Sequence, residues 1–248
     1  MGRVENYRET LRSLDDWDGF LLENSNLPGP RGNLELAQAV TEEGNALLFE
    51  RLRAYEVDRA PVNTPGEFLA FYGVLGLGRL LAEGNLAVRA ALRGHAADPR
   101  WRIREAIAMA LQRWGAQDFA ALLDEMTRWS TGSLLERRAA VAALCEPALL
   151  RDPTQVNLVL RLLDQITASL LEIEDRRSEP FQALKKGLGY CWSVAVAALP
   201  EEGREMMERW LDCGDRDVRW VMRENLRKKR LNQINPTWIA AALARVDG

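Results

Sequence analysis

Histidine and cysteine are scarce in this chain, which limits the chemistry that the protein can perform. His95 is the only histidine among 248 residues, and Cys145, Cys191 and Cys213 are an odd, widely spaced set without a CxxC pair. Because a zinc site needs several such ligands close together, the sequence predicts no metal site and no cofactor. No serine lies in the glycine pattern of a nucleophile elbow. We therefore expect no catalytic residues, and reduced thiols typical of the cytoplasm.

Long apolar runs and a strong excess of one charge are also missing. No uninterrupted apolar stretch approaches the roughly 20 residues of a membrane span, and the first residues, 1–6, lack the apolar region of a signal peptide. The 33 basic and 36 acidic residues give a net charge of −3, which excludes polyanion binding by bulk charge but permits local basic faces. These features predict a cytoplasmic protein without a membrane partner.

Strand patterns are absent too, and the sequence predicts an all-α fold. No segment alternates apolar and polar residues with period two, whereas apolar residues in 153–172 recur at helical spacing. A capping residue followed by proline marks helix starts at Thr64-Pro65, Asp98-Pro99, Asp152-Pro153 and Asn235-Pro236. Capping pairs are predicted for Thr64 with Glu67, Asp152 with Gln155 and Ser133 with Glu136. The predicted helices are 5–14, 34–56, 65–83, 86–96, 99–114, 118–129, 134–146, 153–172, 180–198, 201–212, 216–230 and 236–246.

A block of sequence recurs along the chain. Residues 101–111 (WRIREAIAMAL) are similar to 134–144 and, in outline, to 220–226. Equivalents of Arg104 follow at Arg137, Trp192 and Arg223, and the longest interval holds a charged insertion at 172–179. Self-similarity of this kind is typical of helical repeats, in which each helix pair buries its apolar face against its neighbours.

The repeat resembles the HEAT repeat of the armadillo-like helical α-solenoids. An aspartate precedes Arg104 and Arg223 by six residues, whereas Thr131 stands at that position before Arg137. The resemblance implies a right-handed α-α superhelix with a concave groove, and a ladder between inter-helix aspartates and second-helix arginines. From it we expect a single domain over 1–248, with an N-terminal cap over about 1–60.

Three segments are similar to uncharacterised bacterial HEAT-like proteins distantly related to DNA alkylation repair glycosylases. They are residues 27–33, 186–194 and 215–231. Those glycosylases carry tryptophans and a catalytic aspartate on the concave surface, within a paired-tryptophan and aspartate stretch. No such stretch occurs here, so the resemblance implies architecture, and we assign a catalytic role to no residue.

The predicted helix 216–230 holds the strongest candidate site. Helical spacing places five arginines within about 80° of one another, with Trp220 at the border of the stripe. The arginines are Arg216, Arg219, Arg223, Arg227 and Arg230. Such a stripe can contact phosphates while the aromatic ring stacks on a base. Alternatively, Arg223 belongs to the repeat ladder and the others form a solvated helix face.

Several other residues have structural interpretations. Asn225 lies on the apolar side of the same helix, where its amide needs a partner. Packing roles are predicted for Trp101, Trp114, Trp192 and Trp210, and Trp17 and Trp129 are harder to place. Close helix packing is predicted at Gly73, Gly76, Gly78, Gly187 and Gly189. The turn 28–33 either caps the end of the solenoid or presents Arg31 to a ligand.

Two functions fit this sequence. The first is a non-catalytic scaffold that binds an unknown protein partner in a concave groove of mixed charge. The second is a nucleic-acid-binding protein, or a divergent alkylated-base DNA glycosylase, which requires the basic stripe to face the groove.

Overall fold

The computed structural model describes residues 2–247, and within that range all regular structure is helical. The all-α prediction is therefore confirmed. Short 3-10 turns occupy Leu86–Val88 and Leu170–Glu172. The fifteen α-helices of the described range are α1 (Arg3–Ser13), α2 (Asp18–Glu23), α3 (Leu34–Glu43), α4 (Ala46–Arg53), α5 (Pro65–Ala82), α6 (Arg89–His95), α7 (Trp101–Gln117), α8 (Phe119–Trp129), α9 (Leu134–Leu144), α10 (Pro153–Ser169), α11 (Glu179–Ala198), α12 (Pro200–Glu208), α13 (Arg216–Leu226), α14 (Lys229–Ile234) and α15 (Pro236–Asp247).

Helix packing divides the chain into two compact units, residues 1–117 and 118–248. In the first unit α5 is central and packs against α3, α4 and α7. In the second unit α11 is central and packs against α9 and α13 on its sides and against α10 and α12. In each unit, successive odd-numbered helices are therefore neighbours. The single domain over 1–248 and its cap over about 1–60 stay predictions.

The predicted helix 34–56 is wrong, because the chain breaks between α3 and α4. A Cβ on Gly44 would lie 2.5 Å from the ring of Phe49, so this ring packs directly on the backbone at the break. The side chain of Asn45 then accepts the N–H of Leu48 at 3.0 Å and caps α4. The short helix α2 was not predicted.

Two of the predicted capping pairs form and one does not. Ser133 and Glu136 make the reciprocal capping box of α9, and Asp152 accepts the N–H of Gln155 at 3.0 Å. The hydroxyl of Thr64 instead donates to a carbonyl in the preceding turn. The carboxylate of Glu67 is fully buried and is used by a network in the protein interior.

Arg102 is the centre of that network. Its Nη1 donates to Glu67 Oε2 at 3.0 Å, and its Nη2 donates to Gly29 O at 2.8 Å and to Asn63 Oδ1 at 3.3 Å. The N–H of Asn63 donates to the same Glu67 oxygen at 2.8 Å. One guanidinium thus joins helix α7, helix α5 and the turn 28–33. Arg31 of that turn is exposed.

The start of α7 differs from the prediction at Asp98-Pro99, and the helix begins at Trp101. Asp98 accepts hydrogen bonds from the backbone N–H of Arg100 at 2.8 Å and from its guanidinium at 2.9 and 2.7 Å. Burial by itself would raise the pKa of Asp98, but hydrogen bonds from Arg100 and His95 outweigh it and hold the pKa well below its usual range. The ionised carboxylate of Asp98 therefore stabilises the turn before α7.

Trp101 does not have the packing role that the sequence predicts, because its side chain is 48% exposed. The neighbouring Arg102 turns inward, and its guanidinium carbon lies 4.5 Å from the indole ring centroid. Trp114 and Trp192 are buried and Trp210 is half-buried, which confirms those predictions. Trp129 is also buried.

Close packing at the predicted glycines of α5 is confirmed. A Cβ on Gly73 would lie 2.2 Å from the backbone nitrogen of Arg53, and a Cβ on Gly78 would lie 2.4 Å from the Cα of Ala110. Helix α5 therefore approaches α4 and α7 at backbone distance.

Within residues 2–247, no helix is both long enough and apolar enough to cross a membrane.

Candidate binding face of α11 and α13

The basic stripe does not follow one helix, because α13 ends at Leu226 and α14 begins at Lys229. Lys228 has extended backbone angles, and its N–H donates to the carbonyl of Asn225 at 2.9 Å. Arg230 therefore belongs to α14. The prediction of a single helix over 216–230 is wrong. The five arginines therefore do not form one stripe along one helix.

Three arginines of the predicted stripe pair with three different acceptors. Arg223 Nε donates to a carboxylate oxygen of Asp247 at 2.5 Å, and Arg227 Nη1 lies 3.6 Å from Glu224 Oε1. Arg230 donates to the hydroxyl of Tyr190 at 2.7 Å, and its guanidinium carbon lies 4.6 Å from the ring centroid. Arg216 is 87% exposed, and its side chain reaches no nearer than 4.0 Å to Asp217. Arg219 is half-buried.

Trp220 packs against Gly189 of α11, where a side chain is missing. A Cβ on Gly189 would lie 2.9 Å from the indole of Trp220, whereas a Cβ on Gly187 would make ordinary contacts at 3.5 Å with Val141 of α9. The predicted close approach of a neighbouring helix is confirmed at Gly189, whereas Gly187 makes only ordinary contacts. The ammonium of Lys185 lies 5.0 Å from the Trp220 ring centroid.

Two helices thus share one exposed surface. We call it the α11–α13 face and define it by Lys186 and Tyr190 of α11, Trp220 and Glu224 of α13, and Arg227 at the end of α13. Tyr190 is 44% exposed, Lys186 is exposed, and Trp220 is half-buried. Sequence reasoning missed Lys186 and Tyr190, although their spacing of four residues beside two helix-packing glycines is a usable signal.

Asn225 fixes the two helices against each other. Its Oδ1 accepts the N–H of Ser193 at 2.8 Å, and its Nδ2 donates to the carbonyls of Leu188 and Val221 at 2.8 and 2.7 Å. All three bonds are buried, and they satisfy the amide that the sequence places on the apolar side of the helix. The predicted structural role of Asn225 is confirmed, and the α11–α13 face has a rigid base.

A charge cluster holds the start of α13. Arg176, from the charged insertion, bonds Asp215 at 2.5 Å and Asp217 at 3.1 Å, and Lys185 Nζ donates to Asp217 at 3.0 Å. Burial by itself would raise the pKa of Asp217, but hydrogen bonds from Lys185 and Arg176 outweigh it and lower the pKa. A carboxylate held ionised in this way is a poor general acid or base near neutral pH. The cluster is suited to positioning α13.

The repeat arginines contact backbone as well as side chains. Arg104 Nη1 donates to the carbonyl of Asp98 at 2.9 Å, and Arg137 Nε donates to the carbonyl of Gly132 at 3.0 Å. Each arginine therefore holds the turn that precedes its own helix. Arg223, which stands at the same repeat position, binds Asp247 instead.

No metal centre is formed by the described part of the chain, where no three His, Cys, Asp or Glu side chains are grouped to hold an ion. His95 is the last residue of α6, and its Nδ1 lies 3.9 Å from Asp98 Oδ2. This position is typical of a polar residue that ends a helix.

Comparison of the chain with family models, with curated proteins and with solved structures gives no match. Function therefore has to be argued from the geometry of the chain itself.

Proposed function

We propose that this protein is a non-catalytic, HEAT-type helical scaffold that binds a protein partner through the α11–α13 face. The observation that carries the proposal is the composition of this face. Half-exposed Tyr190 and Trp220 lie among charges of both signs. The cations are Lys186, Arg227 and Arg230, which binds the Tyr190 hydroxyl, and the carboxylate is that of Glu224. Aromatic and arginine anchors inside a mixed polar rim are typical of protein interfaces.

The neighbouring odd-numbered helices support the solenoid part of the proposal. In a right-handed solenoid of helix pairs, the second helices of successive repeats pack side by side and line the groove. The succession α9, α11, α13 and α15 in the second unit, and α3, α5 and α7 in the first, fits that arrangement. The three cysteines are free thiols, which is consistent with the cytoplasm.

Nucleic-acid binding is a second candidate, and the exposed cation of Arg216 beside an aromatic face favours it. A phosphate track needs several cations that are available together. Arg223 is neutralised by Asp247, and Arg227 lies near Glu224. This division of the stripe is the reason to prefer a protein partner.

The scaffold proposal is tested by comparing the partners of two matched variants. Lys186→Glu/Tyr190→Ala changes the α11–α13 face, whereas Arg161→Glu/Leu158→Ala makes the same kinds of change at exposed residues of α10. Each tagged protein is incubated with lysate of the source cells, and bound proteins are quantified by mass spectrometry. We expect a specific partner to bind the wild type and the α10 variant and to be lost from the face variant. Equal capture by all three proteins would refute binding through this face.

The nucleic-acid candidate is tested by fluorescence anisotropy with short duplex and single-stranded DNA over a salt series. The scaffold proposal predicts weak binding that changes little in an Arg216→Glu/Arg227→Glu variant. Micromolar binding that weakens steeply with salt and disappears in the variant would establish the nucleic-acid function instead.

A further inference from the structure

Helices α12, α14 and the start of α15 enclose a cleft of about 430 Å³ in the second unit. The apolar side chains that line it include those of Leu231, Ile234 and Trp238, and we call this part of the lining the floor. Ile234 is 44% exposed although it is a large aliphatic side chain, and Trp238 is half-buried. An apolar floor of this kind fits one or two side chains of a ligand.

One wall of the cleft is strongly acidic. Glu201, Glu205 and Glu208 lie on the same side of α12, at intervals of four and three residues, and all three line the cleft. Arg204 is the only cation among the lining residues. Three carboxylates against one guanidinium leave an excess of two negative charges.

Two of these carboxylates are available to a ligand. Within residues 2–247, Glu201 and Glu205 take part in no ion pair and in no side-chain hydrogen bond, and both are exposed. Glu208 differs, because it accepts Arg204 Nε and Trp238 Nε1, each at 2.9 Å. The hydrogen bond from Arg204 lowers the pKa of Glu208, so this carboxylate also remains charged.

The contact of Arg204 shows how a cation fits in this cleft. Its guanidinium carbon lies 5.8 Å from the ring centroid of Trp238 while its Nε binds Glu208. A cation that binds a carboxylate and faces an indole ring is stabilised by both. The open part of the cleft offers the same combination, with carboxylates beside an apolar floor.

We propose that this cleft docks a segment of a partner protein in which a lysine or arginine lies next to an aliphatic or aromatic residue. The cation binds Glu201 and Glu205, and the apolar side chain covers Ile234 and Trp238. This inference rests on the proposed function, since it names the chemistry of the partner and a second place of contact. Charge complementarity favours a basic segment over an acidic or neutral one.

The test is selection of short peptides from a displayed random library on the full chain, followed by anisotropy measurements with synthetic copies. The cleft is changed by Glu205→Arg and by Ile234→Ala. The matched control is Glu202→Arg, since Glu202 is exposed on the same helix but lines a different, shallow groove beside Leu158. All four proteins are compared at the same ionic strength.

We expect the enriched peptides to contain a basic residue next to an apolar one. Their dissociation constants should rise by about tenfold or more with Glu205→Arg, because an attraction becomes a like-charge repulsion. They should change by less than about twofold with Glu202→Arg. Ile234→Ala should weaken the same peptides through lost apolar contact.

Other outcomes overturn the proposal. Peptides that bind all four proteins equally would show that docking occurs outside this cleft. Enriched peptides without a basic residue would contradict the proposed chemistry of the segment. Neither result would refute the scaffold function. Absence of enriched peptides would exclude docking of a short segment, while partner capture through the α11–α13 face tests the scaffold function separately. Self-association in sedimentation runs that Glu205→Arg abolishes would identify the occupant as a second copy.

Discussion

Replacing Arg102 with methionine removes the guanidinium that binds the buried carboxylate of Glu67 at 3.0 Å. Methionine is similar in length and fills much of the same space without a charge. Glu67 is fully buried, and its second oxygen, Oε1, has no hydrogen-bond partner in the described residues. Gly29 O and Asn63 Oδ1 lose a donor at the same time. The substitution therefore isolates a charge in the interior.

The expected loss in the free energy of unfolding is about 3–5 kcal/mol, the usual cost of removing one partner from a buried ion pair. This is a large share of the roughly 5–15 kcal/mol that stabilises a typical domain. Urea denaturation followed by circular dichroism measures the change, and an unaltered slope shows that the unfolded surface is the same. Arg113→Met is the matched control on α7, since Arg113 pairs with Glu42 and both side chains are 33% exposed. It should cost less than about 1 kcal/mol.

A second substitution tests the cause of the loss. Glu67→Gln in the Arg102→Met background removes the isolated charge but keeps an oxygen that can accept the N–H of Asn63, so it should restore much of the lost stability. The reasoning is refuted if Arg102→Met costs no more than the Arg113 control. It is also refuted if the double variant is no more stable than the single one.

Three further changes have definite expected outcomes. Gly189→Ala should lower the free energy of unfolding by about 1–3 kcal/mol in urea denaturation, because its Cβ meets Trp220. Gly187→Ala, the control, should be neutral or slightly stabilising. Equal effects of the two substitutions would contradict the packing. Asn225→Ala should cost about 1–3 kcal/mol by leaving buried backbone groups unpaired, and a loss below the denaturation error would contradict that role. Because the pKa of Asp98 is lower folded than unfolded, its stabilisation is present above about pH 4 and is lost as the pH falls further. Asp98→Asn should therefore flatten the acid limb of stability against pH, and an unchanged limb would count against this assignment.

Helix starts were predictable from sequence where the signal is local. Ser133 and Asp152 each bind the backbone N–H three residues further on, and nothing distant is needed to form those caps. Glu67 carries the same local signal, but a buried guanidinium 35 residues away takes its carboxylate. The break at Gly44 likewise depends on the ring of Phe49 packing on the backbone. Local rules fail where a tertiary contact offers a better partner.

The candidate site was predictable only in outline. Periodicity correctly placed Asn225 on the buried side of its helix and Trp220 at the border of the exposed side. Periodicity within one helix does not predict where α13 ends or that Arg223 pairs with Asp247. Both depend on how α14 and α15 pack after α13. Tyr190 joins the face because Gly189 lets α13 approach α11, a relation between segments about 30 residues apart.

The hydrogen bond from Arg137 to the carbonyl of Gly132 has a consequence for how such repeats diverge. A backbone carbonyl is present whatever the side chain, so the turn before α9 keeps its anchor although Thr131 stands where the repeats of Arg104 and Arg223 carry aspartate. A substitution at that position therefore leaves this hydrogen bond in place. A repeat anchored through its main chain can lose the signature by which it would be recognised while its helices keep their register.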